Sequence, residues 1–264
     1  MKLLENRIAI ISGSGKGIGR GTAIKFASEG CRVGIVDISA KDAQQTLEEV
    51  RKSGGDGVVI ECDVTKEIQV KDAVNRVVSD FGTVDILVNN VGAAGVGVPI
   101  EEITEEILNQ AFALNLKSHF YFTKYVVPIM KAKRYGKIIN LSSIGAIQPP
   151  AHHIAYNTAK AAILGFTTDL ANALAPFNIN VNAIVPGPIR TSFYDARIST
   201  MSEEQKESFF AALGKKVPLQ RAGTPEDIAG AALFLASSLG AYVTGHALYV
   251  TGGLPLLPPQ PVSK

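Results

Sequence analysis

The chain has 264 residues, 46% of them apolar and 19% charged, and a formal net charge of +2 with the signs interleaved. This balance excludes a disordered chain and a basic stripe of the kind that follows phosphate backbones, so nucleic acid is not an expected partner. The two cysteines, Cys31 and Cys62, are too few for a disulfide framework and have no metal-ligand spacing, and the first residues show no signal-peptide pattern, which points to a reducing cytoplasm.

Residues 7–12 form a β-branched run that breaks into glycines, and residues 17–29 then read as a helix closed by Gly30. A second strand is predicted over 32–37, a helix near 41–52 and a strand over 57–62. The helix predicted over 66–81 carries Ile68, Ala73, Val74, Val77, Val78 and Phe81 on one stripe, a face suited to a sheet. An apolar run at 84–88 follows, then a long helical region from 105 to about 131, a strand at 137–141, a helix around Tyr156 and a strand at 179–185.

Residues 228–250 contain no Asp, Glu, Lys or Arg and are numerous enough to span a bilayer. Ser237, Ser238, Gly240, Thr244 and His246 interrupt them, so the stretch reads as a buried helix, a turn and a buried strand, and no membrane span is expected. Strands that alternate with helices and are apolar along their whole length predict a parallel sheet covered on both faces. A closed barrel of alternating strands and helices shares the pattern. The glycine loop directly after the first strand favours an open, doubly wound sheet built as one α/β domain.

That loop, Ser12-Gly-Ser-Gly-Lys-Gly-Ile-Gly19, fits G-x-x-x-G-x-G through Gly13, Gly17 and Gly19 rather than G-x-G-x-x-G, because Ile18 stands where the last glycine would be. Residues without a Cβ let backbone N–H groups and a helix N-terminus approach a pyrophosphate. Asp37 ends the second predicted strand eighteen residues after Gly19, where a carboxylate can accept hydrogen bonds from ribose hydroxyls and repel a 2′-phosphate. Asp37 therefore favours NAD, whereas Lys16 within the loop could meet a 2′-phosphate and favours NADP. A carboxylate at a strand end cannot swing away as a lysine can, so NAD is expected over NADP.

Tyr156 and Lys160 are four residues apart, which on a helix places phenol and ammonium on one face. A cation beside a phenol favours the phenolate, so Lys160 is expected to lower the pKa of Tyr156 and make it an acid/base near neutrality.

With these motifs in place, the chain resembles the short-chain dehydrogenase/reductase family over residues 8–253. The resemblance implies a Rossmann-type, mostly parallel seven-stranded sheet with helices on both faces. It implies adenine contacts at Asp63-Val64 and a cofactor contact at Asn90, within Asn89-Asn90-Val91-Gly92, where Val91 replaces the family's alanine. By the same likeness Asn115, Ser143, Tyr156 and Lys160 are catalytic, Ser143 being thirteen residues before the tyrosine. Ser143 would hydrogen-bond the substrate oxygen, Tyr156 would pass the proton, Lys160 would also hold the nicotinamide ribose, and Asn115 would support a water-linked proton path to Lys160. Cofactor contacts are thus expected at Gly13, Gly15, Lys16, Gly17, Ile18, Gly19, Asp37, Asp63, Val64, Asn90, Gly92, Tyr156, Lys160, Ile189 and Thr191, and no metal is expected. Homologous assembly as a tetramer is also implied, although Thr251 replaces an aspartate in Val250-Thr-Gly-Gly253, a stretch near the family's subunit contacts.

Residues 192–218 gather Phe193, Tyr194, Phe209 and Phe210 around a charged middle and read as a mobile substrate lid. His152 and His153 either edge the pocket or form a surface pair. Arg190 and Arg197 leave an anionic substrate open, although no basic cluster announces one. The catalytic domain is expected to end at 253, and the proline-rich tail 254–264 is read either as a frayed end or as a cover for a neighbouring subunit. The expected activity is hydride transfer between a nicotinamide and a small secondary alcohol or ketone. The alternatives are an NADPH-dependent 3-oxoacyl thioester reductase and a nucleotide-sensing protein without catalysis.

Overall fold

The strands are the apolar runs, because a parallel strand covered on both faces has no side to give to water. In the computed structural model, which describes residues 2–255, β1 (Ile8–Ser12) is buried at every position. Its alternate residues serve opposite layers: Ala9 and Ile11 join one core, and Ile8 and Ile10 join the other. The chain then runs through α1 (Gly17–Ser28), β2 (Arg32–Asp37), α2 (Ala40–Lys52), β3 (Asp56–Glu61), α3 (Glu67–Phe81) and β4 (Ile86–Asn89). After α4 (Glu105–Phe112) and α5 (Ser118–Lys133) come β5 (Gly136–Leu141), α6 (Ile154–Leu174) and β6 (Ile179–Pro186). Short α7 (Asp195–Ile198), α8 (Glu203–Gly214), α9 (Pro225–Ala236) and β7 (Ala247–Val250) complete the order.

All seven strands are parallel in the order β3-β2-β1-β4-β5-β6-β7, so the fold is an open doubly wound sheet and not a barrel. One core packs Phe26 of α1, Leu47 and Val50 of α2, and Ile228 and Ala232 of α9 on one face. The other packs Val70, Val74 and Val77 of α3, Phe122, Val126 and Met130 of α5, and Ala171 and Leu174 of α6 on the opposite face. Chain direction of winding reverses between β1 and β4, which opens a crevice at their C-terminal ends, the place where such sheets bind ligands.

Three expectations change. The run at 84–88 is displaced to Ile86–Asn89, because Asp85 is buried at the strand entrance, where its carboxylate accepts the Ile8 N–H at 2.9 Å. The helix expected over 105–131 is broken by a single π turn at Ala113–Lys117. The acid-free stretch 228–250 is divided between the end of α9, a 3-10 turn at Ser238–Gly240 and β7, but β7 is only half-buried and exposes Tyr249, in place of the buried strand expected; among the described residues no helix is long and apolar enough to cross a membrane. All of the proline-rich tail except Leu254 and Pro255 lies outside the described residues.

Candidate active site

The first half of the site is the turn between β1 and α1. Gly13 and Gly17 have φ of +64° and +55°, a conformation that side chains with a Cβ rarely take. Gly19 faces the carbonyl of Gly13 so closely that a Cβ would collide with it. Asn90, at the end of β4, fastens this loop: its Nδ2 donates to the carbonyls of Ser12 at 2.9 Å and Gly13 at 3.0 Å. Its amide nitrogen is therefore occupied in shaping the cradle. Lys16 stands at the N-cap of α1 without a side-chain cap, and no acid lies in the first turn. The helix thus presents unsatisfied N–H donors and its positive dipole end to the crevice, an arrangement that fits a pyrophosphate.

Asp37 closes β2 beside this loop, with Oδ2 accepting the Gly15 N–H at 2.8 Å and Oδ1 accepting the Ser39 N–H at 3.0 Å. Each oxygen keeps a lone pair for a further donor. The Lys16 ammonium does not project freely; it pairs with Asp42 of α2 at 3.1 Å. Asp63 and Val64 follow β3 at the same end of the sheet, where Asp63 accepts both the N–H and the hydroxyl of Thr65 and Val64 is buried. Ile189 and Thr191 follow β6, and Thr191 approaches the loop from the other side, its Cβ 3.2 Å from where a Gly17 Cβ would lie.

The second half comes from β5, the π turn and α6. Ser143 follows β5 and lines the cavity beside Tyr156, its Oγ accepting the Gly145 N–H at 3.1 Å, whereas the neighbouring Ser142 is turned away and donates to the Lys160 carbonyl at 2.7 Å. Lys160 is buried, its Nζ donating to the Leu141 carbonyl at 2.8 Å and lying 5.9 Å from the centre of the Tyr156 ring. Asn115 sits in the π turn, the irregularity that often marks functional positions on helices. Its Oδ1 accepts the Ala93 N–H at 3.0 Å and its Nδ2 donates to the carbonyls of Ala93 at 3.1 Å and Ala111 at 2.9 Å. With both ends of the amide so engaged, the side chain clamps the loop after β4. Gly92 makes the clamp possible, because a Cβ there would lie 2.7 Å from Lys160 Nζ and 2.8 Å from Asn115 Oδ1. Asn115→Leu is expected to lower stability by about 1–3 kcal/mol, since it removes three part-buried hydrogen bonds that hold the loop after β4. A denaturant midpoint equal to the parent's would contradict the clamp.

Burial sets the protonation of the pair and reverses one expectation. It pushes the Tyr156 phenol up to about 12, against the opposing influence of the nearby Ser143 hydroxyl, and Lys160 is not among the groups that move it. Burial alone pushes the Lys160 ammonium down to about 7. Spacing placed the two groups on one face, but desolvation outweighs their mutual field, and each is driven toward its neutral form. One residue behind them had no sequence signal: His119 of α5 is buried without a hydrogen-bond partner at Nε2, and burial followed by the Lys160 charge holds its imidazole well below the usual histidine range.

Tyr156, Ser143, Lys160, Asn90, Gly92, Ile18, Ile189 and Thr191 all line one cavity of about 710 Å³. The segment after β6 forms its far wall: Phe193 lies 6.0 Å from the Tyr156 ring, and Tyr194 stacks edgewise on Phe193, Phe209 and Phe210. The expected lid is thus three helical pieces around a small core of Ile198, Phe210 and Ala222. His153 lines the cavity while His152 is exposed, so the two histidines separate. Among the described residues no cluster of His, Cys, Asp or Glu could hold a metal.

The family model described as enoyl-(acyl carrier protein) reductase matches residues 13–255. An uncharacterized oxidoreductase of Bacillus subtilis is 37% identical, over 96% of this chain and 93% of that protein. The 3-oxoacyl-[acyl-carrier-protein] reductase of Thermotoga maritima is 36% identical, over 95% of this chain and 98% of its own. Among solved structures, a 7α-hydroxysteroid dehydrogenase complexed with NADH and 7-oxo glycochenodeoxycholic acid superposes with a TM-score of 0.85, at 35% identity over 95% of this chain and 94% of the other. A parallel sheet of matching architecture, the glycine cradle and the Ser-Tyr-Lys wall stand on the same chain as these likenesses, and the protein belongs to the short-chain dehydrogenase/reductase family of oxidoreductases.

Proposed function

We propose that the protein is an NAD-dependent oxidoreductase that interconverts a secondary alcohol and a ketone, with Tyr156 as general acid/base. The observation that carries this reading is the cavity itself, in which Ser143, Tyr156 and Lys160 share a wall with the residues that follow the glycine cradle and β6. The nicotinamide supplies the hydride acceptor or donor. The rest falls to the chain. Asp37 takes the adenosine ribose, the N-terminus of α1 takes the pyrophosphate, and Ile189 and Thr191 meet the carboxamide, with Asp63 and Val64 beside the adenine. Ser143 hydrogen-bonds the substrate oxygen, and the neutral phenol of Tyr156 gives its proton to that oxygen as negative charge develops during reduction. Lys160, near 7, exchanges protons at physiological pH and can resupply the phenol through solvent while gripping the nicotinamide ribose. A panel of secondary alcohols, assayed for NADH formation, tests the reading; a panel without turnover, repeated with NADPH and ketones, would reject it.

The choice of NAD is supported by Asp37, anchored by two N–H donors, and by Asp42, which neutralises the one lysine of the loop. Asp37→Ala is expected to lower kcat/KM with NADH by about tenfold and to raise the value with NADPH, since the ribose loses a charge-assisted acceptor and a 2′-phosphate loses a repulsive neighbour. An unchanged ratio of the two cofactors would count against the role given to Asp37. Likeness to the Thermotoga maritima reductase supports a second reading, a 3-oxoacyl thioester reductase using NADPH, which the same cofactor assay distinguishes. A nucleotide sensor without catalysis is disfavoured by the complete set of catalytic side chains.

The segment 192–218 is proposed as the substrate lid, and a cytoplasmic homo-oligomer, a tetramer by family likeness, as the working form. Two exposed apolar areas support assembly: Leu108, Phe120 and Ile154 on α4, α5 and α6, where Phe120 stacks on Phe166 at 4.1 Å, and Leu219, Leu239, Tyr242 and Tyr249 around β7.

A further inference from the structure

The cavity wall is electrostatically one-sided. Among the described residues that line it there are the cations Lys160, Arg197 and Lys216, the imidazole of His153, and no aspartate or glutamate. Lys160 belongs to the chemistry already described, but Arg197 and Lys216 lie on the lid side, away from the cofactor cradle. Of the other basic residues of this region, Arg190 pairs with Glu207 and lies over the Phe210 ring, Lys206 pairs with Glu203, and Arg221 forms two bonds to Asp227, while Lys215 is exposed and does not line the cavity. Neither Arg197 nor Lys216 has an acidic partner within ion-pair distance among the described residues. The Arg197 guanidinium carbon lies 5.4 Å from the centre of the Phe209 ring, within range of a cation–π contact.

The same cavity is lined by the apolar Phe193, Leu213 and Pro150, by Tyr194, and by His153, which has a buried Nδ1 without a hydrogen-bond partner. A substrate seated with its carbonyl at Tyr156 and Ser143 would share this cavity with Arg197 and Lys216. Resting on the alcohol/ketone reading above, we propose that the substrate carries an anionic group, a carboxylate, at the end remote from the reacting carbon, and that Arg197 and Lys216 select it. Such pairing contributes specificity and capture rate more than bulk affinity, because both cations also face water. A neutral analogue of the same shape leaves that pairing unmade.

Matched probes test this. The intact protein is given NADH with 4-oxocyclohexanecarboxylate or its methyl ester, and the acid is expected to show a kcat/KM at least about tenfold higher at low ionic strength, narrowing as salt is added. In the Arg197→Ala/Lys216→Ala double variant the acid-to-ester ratio should fall to about one, and in Arg197→Glu it should invert. A wild-type ratio near one, or a ratio that survives both substitutions, would overturn the proposal. Calorimetry of the NADH-loaded protein with cyclohexanecarboxylate and cyclohexanecarboxamide reads the same preference without turnover. Preferential binding of the carboxylate with no turnover of either ketone would keep the anion site and defeat the alcohol/ketone reading instead. Ester turnover with equal binding of acid and amide would do the reverse.

Discussion

Tyr156→Phe is expected to reduce kcat by about 10²–10⁴-fold while leaving NADH affinity nearly unchanged. The substitution removes one oxygen and keeps the ring, which packs 6.0 Å from Phe193. The loss would therefore report the proton and not the shape of the pocket. Burial holds the phenol at about 12, above its ordinary value of 10.0, so it is protonated throughout the neutral range and is set as a donor in the reducing direction. The sign follows for stability: a group whose pKa is raised on folding contributes below its ordinary pKa and loses that contribution as pH rises through about 12. Steady-state rates with NADH titrated by fluorescence would separate the two effects. Near-normal turnover in the phenylalanine variant would end the assignment of Tyr156 as acid/base.

Lys160→Met should lose most of the activity and gain stability. The ammonium of Lys160 has its pKa pushed from 10.5 to about 7 by burial, so the folded state resists the charge that the unfolded chain accepts. Between those two values the unfolded state binds more protons, and the parent's stability rises with pH. Below pH 7 both states are charged and the full penalty is felt. An apolar side chain of similar length removes it, offset in part by the lost bond to the Leu141 carbonyl. The methionine variant should thus be more stable at pH 6 by roughly 2–4 kcal/mol, with the advantage fading toward pH 10. Chemical denaturation at several pH values reads this directly. A variant less stable than the parent at pH 6 would mean that the lysine's hydrogen bond outweighs its desolvation.

Much of the site was legible because its parts are local. Gly13, Gly17 and Gly19 mark a turn through their spacing, Asp37 marks a strand end, and Tyr156 with Lys160 marks one helix face. The unbroken apolar strands announced a sheet covered on both sides. What spacing could not show was burial, which raises the Tyr156 pKa where a lowered one was expected. Nor could it show partners from distant segments. Lys16 looks available within its loop, yet Asp42 of α2 engages it; Arg197 and Lys216 are nineteen residues apart, and only the fold of the segment after β6 brings both to one cavity. Asn115 was found by likeness, but its clamp on Ala93 depends on a π turn that no periodicity in residues 105–131 announced.

That π turn ties two requirements to a single count of residues. A π turn holds one residue more than an α turn, so α4 and α5 are out of phase with each other by roughly 100° about the helix axis. The phase that offers Asn115 to the loop after β4 also directs Phe122, Val126 and Met130 into the sheet. Deleting one residue from Ala113–Lys117 would restore a regular helix and rotate one half against the other. The chain could then keep its clamp or its core, but not both, and so the length of this stretch is constrained more tightly than its composition.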